Sequence, residues 1–160
     1  MGGALSGVYR YRSGLPFTPM IAAGLDANGD GSAFNDPAFI PTSSALGEVG
    51  ATWNCLSTGQ GAFAVRNSCR GDPTHRIDLR LAFGLGRLPA QIVVDALNIT
   101  DANEGVRDNA LLVIDPAGTL TRSGSTVTVP YRVNPGFGTF LLRTDPGRMI
   151  RVGIRIGGGS

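Results

Sequence analysis

The sequence predicts an all-β fold, an antiparallel meander of about four long strands with two long loops. The first observation is the segment 148–156, where apolar residues alternate with arginine, methionine and glycine, so that a strand would have one apolar and one charged face. The second is that the connections between the predicted strands run long, short, long. The third is that no run of roughly 18 consecutive apolar residues occurs, which excludes a membrane helix.

Three further segments show the same period of two. The first predicted strand covers 5–12, and the second, 76–83, divides cleanly into an apolar and a charged face. The third, 91–99, is less regular because two apolar residues fall on its polar face, and we expect a bulge there. The fourth enters near Leu141, is broken at 145–147, and then resumes.

The connection lengths give the strands a direction. The long loops span about 13–74 and 100–140, and the second contains a predicted hairpin of 111–114 with 126–129. Bacterial outer-membrane barrels combine short periplasmic turns with long extracellular loops, whereas soluble sandwiches turn about every 8 to 12 residues. We therefore interpret residues 1–160 as strands of an outer-membrane β-barrel whose two long loops are extracellular and whose last strand ends in the periplasm. The alternative is a soluble β-sandwich binding module with a calcium-stiffened loop, since alternation alone does not show what covers the apolar face.

Composition and motifs narrow the function classes. The net charge is +2, every basic residue is an arginine and no basic run occurs, so we expect no nucleic-acid partner. His75, Asp78 and Ser68 are the residue types of a catalytic triad, but no G-x-S-x-G motif is present, and His75 and Asp78 fall on opposite faces of one strand. We therefore expect that the chain has no catalytic residues and is not an enzyme.

Charged residues cluster on the polar faces of the predicted strands. They are Arg10, Arg12, Arg76, Asp78, Arg80, Asp95, Arg151 and Arg155. In a barrel these side chains would face the wet lumen, where arginine and aspartate on neighbouring strands would pair and hold the register. A path for an anionic ligand is the second interpretation. Tyr9, Tyr11 and Phe83, on the apolar faces, would lie at the membrane interface or against lipid.

The first loop contains half of a calcium-binding motif. Asp26, Asn28 and Asp30 are followed by Gly31, as in the first half of an EF-hand loop, where alternating oxygen ligands converge around a glycine turn. The twelfth position is Pro37 instead of glutamate, so calcium would need a further ligand such as Asn35 or Asp36. The other interpretation, which the missing glutamate favours, is an ordinary Asx/Gly turn. No cofactor is required, and calcium is the only ion we expect.

Cys55 and Cys69 are the only cysteines, and both lie in the first loop. A disulfide between them would close a loop of about 15 residues, worth about 3 kcal/mol in the chain-entropy model, and would persist outside the cytoplasm. The sequence therefore predicts a disulfide rather than a metal site, for which further cysteine or histidine ligands are lacking.

Several short motifs follow one another along the chain. They are Ser13-Gly14-Leu15-Pro16-Phe17-Thr18-Pro19, Asp26-Ala27-Asn28-Gly29-Asp30-Gly31 before Asn35-Asp36, Arg66-Asn67-Ser68-Cys69-Arg70-Gly71, His75-Arg76-Ile77-Asp78-Leu79-Arg80-Leu81 and Asp95-Ala96-Leu97-Asn98-Ile99-Thr100-Asp101. In this order they resemble the C-terminal barrel region of TonB-dependent outer-membrane receptors of the Oar-like branch.

The resemblance implies a plugged barrel of about 22 strands in the cell outer membrane, which binds scarce nutrients and takes them up with energy from an inner-membrane complex. This chain would supply about the last four strands. Its partners would be outer-membrane lipid, the remaining strands and plug of the parent receptor, and a small ligand whose identity the sequence does not reveal.

Overall fold

The computed structural model describes residues 2–22 and 26–157. It has 44% of its residues in strands and 8% in helices, which confirms the all-β prediction. In chain order the elements are β1 (Gly3–Arg12), β2 (Pro16–Phe17), β3 (Met20–Ile21), α1 (Ser43–Thr52), a 3-10 turn (Asn54–Leu56), β4 (Cys69–Arg70), β5 (Thr74–Gly84), β6 (Ala90–Leu97), β7 (Gly105–Arg107), β8 (Ala110–Ile114), β9 (Thr121–Ser123), β10 (Thr126–Thr128), β11 (Tyr131–Val133), β12 (Phe140–Arg143) and β13 (Met149–Ile156).

The chain divides into two compact units. The first, which we call the sheet unit, comprises the described residues of Met1–Gly14, Asp72–Val106 and Leu142–Ser160. The second, which we call the loop unit, comprises the described residues of Leu15–Gly71 and Arg107–Leu141. The two long predicted loops therefore supply the residues of a compact unit of their own.

The sheet unit is built on a four-stranded antiparallel sheet in the order β1-β5-β6-β13. Each of these strands lies beside the strand that precedes it along the sheet unit, which is the predicted meander. All ten residues of β1 pair with Thr74–Phe83, and all eight residues of β13 pair with β6. The period-two apolar pattern fixes this register, because a shift by one residue would move every apolar side chain to the other face.

Two details of the predicted strands are wrong. The strand predicted over 91–99 ends at Leu97 and keeps one continuous register with both neighbours, without a bulge. Val93 fits on the polar face because Ala82 and Gly153 lie opposite it on the neighbouring strands. The residues around Leu141 form the separate strand β12, and β13 alone completes the sheet.

The loop unit contains the apolar core. Its buried side chains are Ala38, Ile40, Leu46, Leu56, Ala64, Cys69, Leu111 and Phe137. They are contributed by both long connections, so the two segments depend on each other for burial. The sheet β11-β8-β3 runs through this core, with β8 antiparallel to β11 and parallel to β3.

The hairpin predicted between 111–114 and 126–129 is wrong. β8 pairs instead with β11, and the residues Thr126–Thr128 pair with Thr121–Ser123 in a separate small hairpin. The reason is burial: Leu111 is fully buried, whereas Val127 is 57% exposed. The more apolar segment therefore joins the core, and the threonine-rich segment remains in an exposed hairpin that turns at Gly124, where φ is +63°.

The predicted disulfide between Cys55 and Cys69 is confirmed, with a Cα–Cα distance of 5.2 Å. It joins the 3-10 turn to β4 inside the loop unit. Cys69 is fully buried and packs with the core, so the bond closes a loop of the chain directly onto the apolar centre.

Candidate functional site

The sheet has one continuous apolar face. At its centre Leu5, Leu81, Val94 and Val152 form a row across all four strands. The described part of the chain leaves this apolar face uncovered: Leu5 is 68% exposed, Val152 70% and Ile154 68%. Soluble monomers rarely expose large contiguous apolar patches, and a patch of this extent marks a surface that meets lipid or another protein.

An aromatic group ends the apolar face near the start of the first long connection. The hydroxyl oxygen of Tyr9 lies 2.7 Å from Nδ1 of His75, and the ring of Tyr11 lies 5.1 Å from the His75 ring. Tyr9 and Tyr11 are each 60% exposed. The rings combine an apolar body with a polar tip, which is the residue chemistry found where a membrane meets water.

The polar face carries ordered ion pairs. Nε of Arg80 lies 2.9 Å from Oδ1 of Asp95 on the neighbouring strand. Nη2 of Arg10 donates to Oδ2 of Asp78 at 3.0 Å. Arg12 is also paired, with Glu104. With Arg76, which pairs with Asp78, six of the eight predicted polar-face residues take part in ion pairs, including both aspartates.

Asp78 organises the end of this face nearest the long connections. In addition to Arg10, it accepts hydrogen bonds from Nε of Arg76 at 3.3 Å and from the backbone N–H of Asn98 at 2.7 Å. Its side chain is only 12% exposed. A carboxylate with several charged and backbone donors fixes the neighbouring strands more firmly than one exposed ion pair would.

Two predicted residues have no acidic partner among residues 2–22 and 26–157. Arg151 lies opposite Asp95 in the sheet, but Asp95 is paired with Arg80, and Nε of Arg151 contacts Sδ of Met149 instead. Arg155 lies opposite Gln91. The polar face of the four strands carries six arginines, and four carboxylates form ion pairs with them: Asp78, Asp95, Glu104 and Asp145. An excess of two positive charges remains, at Arg151 and Arg155. This face favours a negatively charged neighbour or ligand.

Sequence reasoning missed two residues at the end of the sheet. Glu104 lies 92 positions from its partner Arg12 along the chain, so no local pattern connects them. Asn98 is 1% exposed, and its side chain donates to the carbonyl oxygens of Ala102 at 3.0 Å and Pro146 at 3.2 Å. The sequence clue to Asn98 is an asparagine directly after a strand. Its observed φ of +51° lies in the left-handed region, which asparagine adopts more readily than most residues.

The half-motif of the first loop forms a compact turn in the loop unit. Asp26 accepts backbone N–H groups from Gly29, Asp30 and Gly31 at 2.6 to 3.1 Å. The side-chain oxygen of Asn28 accepts the N–H of Asp30 at 2.9 Å. Three of the four predicted metal ligands, Asp26, Asn28 and Asp30, therefore lie in one turn. Each side chain accepts a hydrogen bond from a backbone N–H group a few residues further along the chain.

Asp30 is held in its charged form within this turn. Hydrogen bonds from the backbone N–H of Ser32 and from the side chains of Asn35 and Asn28 lower the pKa of its carboxyl group below the ordinary value of 3.8. Among the described residues, no three His, Cys, Asp or Glu side chains are already grouped tightly enough to hold a metal ion. Binding of calcium would therefore require the carboxylates of the turn to draw together.

Comparisons of this chain with models of protein families, with curated proteins and with solved structures find no match. Within the described part of the chain, no helix has the length and apolar character needed to cross a membrane.

Proposed function

We propose that the chain forms four consecutive strands of a larger outer-membrane β-barrel, in a receptor of the TonB-dependent type that binds and takes up a small ligand. The apolar face of the sheet meets lipid, and the polar face lines a wet lumen. The two long connections leave the membrane on the extracellular side. The remaining strands and the plug of the parent receptor are the protein partners of this segment.

The distribution of buried residues carries the proposal. All eight buried apolar residues of the described chain lie in the loop unit. The sheet unit exposes its apolar face instead, with Ile156 at 76% and Ile150 at 68%. A sheet in water needs its apolar face packed against another layer, so something outside the described chain covers this face. Lipid provides that cover without a second protein layer.

Strand length and connectivity agree with a membrane span. The four strands have 10, 11, 8 and 8 residues, close to the roughly 9 to 11 that cross a bilayer at a tilt. Both long connections begin at the same end of the sheet, at the pairs Arg12–Thr74 and Leu97–Met149. The short turn lies at the other end. This arrangement is typical of an outer-membrane barrel with long external loops.

The edges of the sheet indicate further strands. Among the described residues, β1 and β13 each have a neighbouring strand on one side only. Single-chain bacterial barrels contain at least about eight strands, so four strands do not close. The unpaired backbone groups of both edges therefore need partners, and the other strands of a parent barrel would provide them.

A soluble β-sandwich is the competing candidate, and one observation favours it: the loop unit has its own apolar core and a disulfide. In that case a second sheet would cover Leu5, Val152 and Ile154 with protein. The polar face would then lie in bulk water.

Lipid quenching distinguishes the two candidates. We would place tryptophan at Val152 or at Gly153, whose side chains lie on opposite faces of the same edge strand, and fold each variant with vesicles that contain brominated lipid. A Cβ atom at Gly153 meets no atom within 4 Å, so a side chain can leave the backbone there without a clash. Trp53, the only native tryptophan, gives a constant background measured in the unmodified chain.

We expect brominated lipid to quench Val152→Trp and to leave Gly153→Trp close to the background. Equal quenching at both positions, or no quenching at Val152→Trp in a chain that has folded, would contradict the membrane assignment.

A further inference from the structure

The turn that contains Asp26, Asn28 and Asp30 lies beside an unusual carboxylate. Asp36 is 2% exposed, and its Oδ2 accepts the backbone N–H of Ala27, inside the turn, at 2.9 Å. Its Oδ1 is buried and has no hydrogen-bond partner among the described residues. A buried carboxylate oxygen without a protein partner is rare in folded proteins, and an ordered water or a bound ion satisfies it.

The surroundings of Asp36 do not supply the missing partner. Burial and the nearby charge of Asp36 raise the pKa of the Tyr131 hydroxyl group, yet Oδ1 of Asp36 accepts no hydrogen bond from it or from any other described residue. No arginine forms an ion pair with Asp36 in the described chain. The backbone carbonyl oxygen of Asp36 bonds to the N–H of Ile21, which holds the residue in place. The site thus combines a fixed carboxylate with uncompensated negative charge.

We propose that the segment 26–36 binds one calcium ion through side-chain oxygens of Asp26, Asn28, Asp30 and Asp36. Calcium prefers six to eight hard oxygen ligands, and a loop with three carboxylates and one amide offers that chemistry. The alternating spacing brings the first three side chains to one turn, and the Asp36 carboxylate is fixed on that turn through Ala27. Oδ1 of Asp36 then gains the partner that the protein alone does not give it.

Affinity should be modest. Pro37 stands where a full EF-hand loop has a bidentate glutamate, and the carboxylates must draw together on binding. The expected dissociation constant is therefore in the weak extracellular range, about 0.1 to 1 mM. This inference concerns the loop unit and does not depend on whether the sheet unit meets lipid.

Titration calorimetry and limited proteolysis of the full chain test the proposal. Chymotrypsin cleaves after Phe34, which lies in the segment and is 80% exposed, and cleavage after Leu120, which is 64% exposed, serves as the internal reference. At about 10 mM calcium, we expect cleavage after Phe34 to slow by about 10- to 100-fold, while cleavage after Leu120 stays the same. Magnesium at the same concentration should protect much less, because it dehydrates reluctantly and requires an octahedral site.

Two variants and one control separate metal binding from a structural role. Asp36→Asn keeps an oxygen for the N–H of Ala27 but removes the charge, so we expect a fold unchanged without calcium and an affinity at least about tenfold lower. Asp30→Ala should abolish the protection. Asp115→Asn is the matched control, since Oδ1 of Asp115 also accepts a backbone N–H in a turn, from Ala117 at 3.0 Å, but lies outside the segment.

Three results would overturn the proposal. The first is the absence of both heat and protection in a folded chain with its disulfide intact. The second is equal protection by magnesium, which would indicate general charge screening. The third is unchanged calcium affinity in Asp36→Asn, which would remove Asp36 from the site.

Discussion

Replacing Leu5 by arginine would test the environment of the apolar face. Leu5 is 68% exposed and lies opposite Leu81 of β5. Leu81 is two residues, or about 7 Å along the strand, from Leu79 at the midpoint of β5. An arginine on the lipid face costs about 2 to 4 kcal/mol at the bilayer midplane and less towards the interfaces. For Leu5→Arg in a membrane we therefore expect a loss of about 2 to 3 kcal/mol, or about 30- to 160-fold in the folding equilibrium.

The neighbouring residue provides a matched control. Ala4 lies opposite Ala82 on the polar face of the same strand and is also exposed. The arginine of Ala4→Arg would reach a wet lumen, so we expect a change within about 0.5 kcal/mol. Both free energies of unfolding would be measured by urea titration of chains folded with lipid vesicles. A loss of less than about 0.5 kcal/mol for Leu5→Arg, as for an ordinary surface position in water, would refute the lipid assignment, and so would an equal loss in both variants.

Three further predictions concern bonds within the loop unit and within the sheet unit. Replacing Cys55 and Cys69 by alanine should destabilise the loop unit by about 3 kcal/mol, measured by urea unfolding, and thiol labelling of the native protein without reductant should find neither cysteine. Asp78→Ala removes the acceptor for the backbone N–H of Asn98 and should cost about 1 to 3 kcal/mol in the same assay; a cost below about 0.5 kcal/mol would contradict its organising role. The folded state lowers the pKa of Asp30 below 3.8, so its stabilisation of the turn is present above that value and is lost as the pH falls through the lower folded pKa. Amide hydrogen exchange in the turn, followed as pH falls and corrected for intrinsic rates, should show this loss.

The strands of the sheet were predictable because their signal is local. Each has apolar residues at every second position, and the observed register places these alternating residues of all four strands on one face, although a few apolar residues such as Val8 and Val93 lie on the other. The disulfide was also predictable, since Cys55 has only one possible partner in the chain. The bulge predicted near Val93 was wrong because the pattern of one strand does not show its neighbours. Val93 fits on the polar face because Ala82 and Gly153, on the two neighbouring strands, are small.

The structure of the long connections could not be predicted in the same way. Their core joins Leu56 to Leu111 and Phe137, and no periodic pattern relates segments so far apart in sequence. The half-motif at Asp26 was visible as a spacing, but the burial of Asp36 was not. Burial depends on which segments pack over a residue, and here the backbone of Asp36 bonds to Ile21 in β3. The local turn could therefore be predicted, while its unsatisfied carboxylate required the tertiary structure.

Two arginines of β13 have no acidic partner among the described residues, and they lead to a prediction about the neighbour of β13 in the proposed parent barrel. Arg151 and Arg155 lie four residues apart on one face, and opposite charges at facing positions stabilise strand pairs by about 0.2 to 1 kcal/mol each. The neighbouring strand should therefore carry two carboxylates with the same spacing. A labelled strand peptide with aspartates at those positions should bind the chain about 2- to 30-fold more tightly than the same peptide with asparagines, measured by fluorescence anisotropy. Replacing both arginines by glutamine should remove the preference, and equal binding of the two peptides to the unmodified chain would contradict charge pairing at this edge.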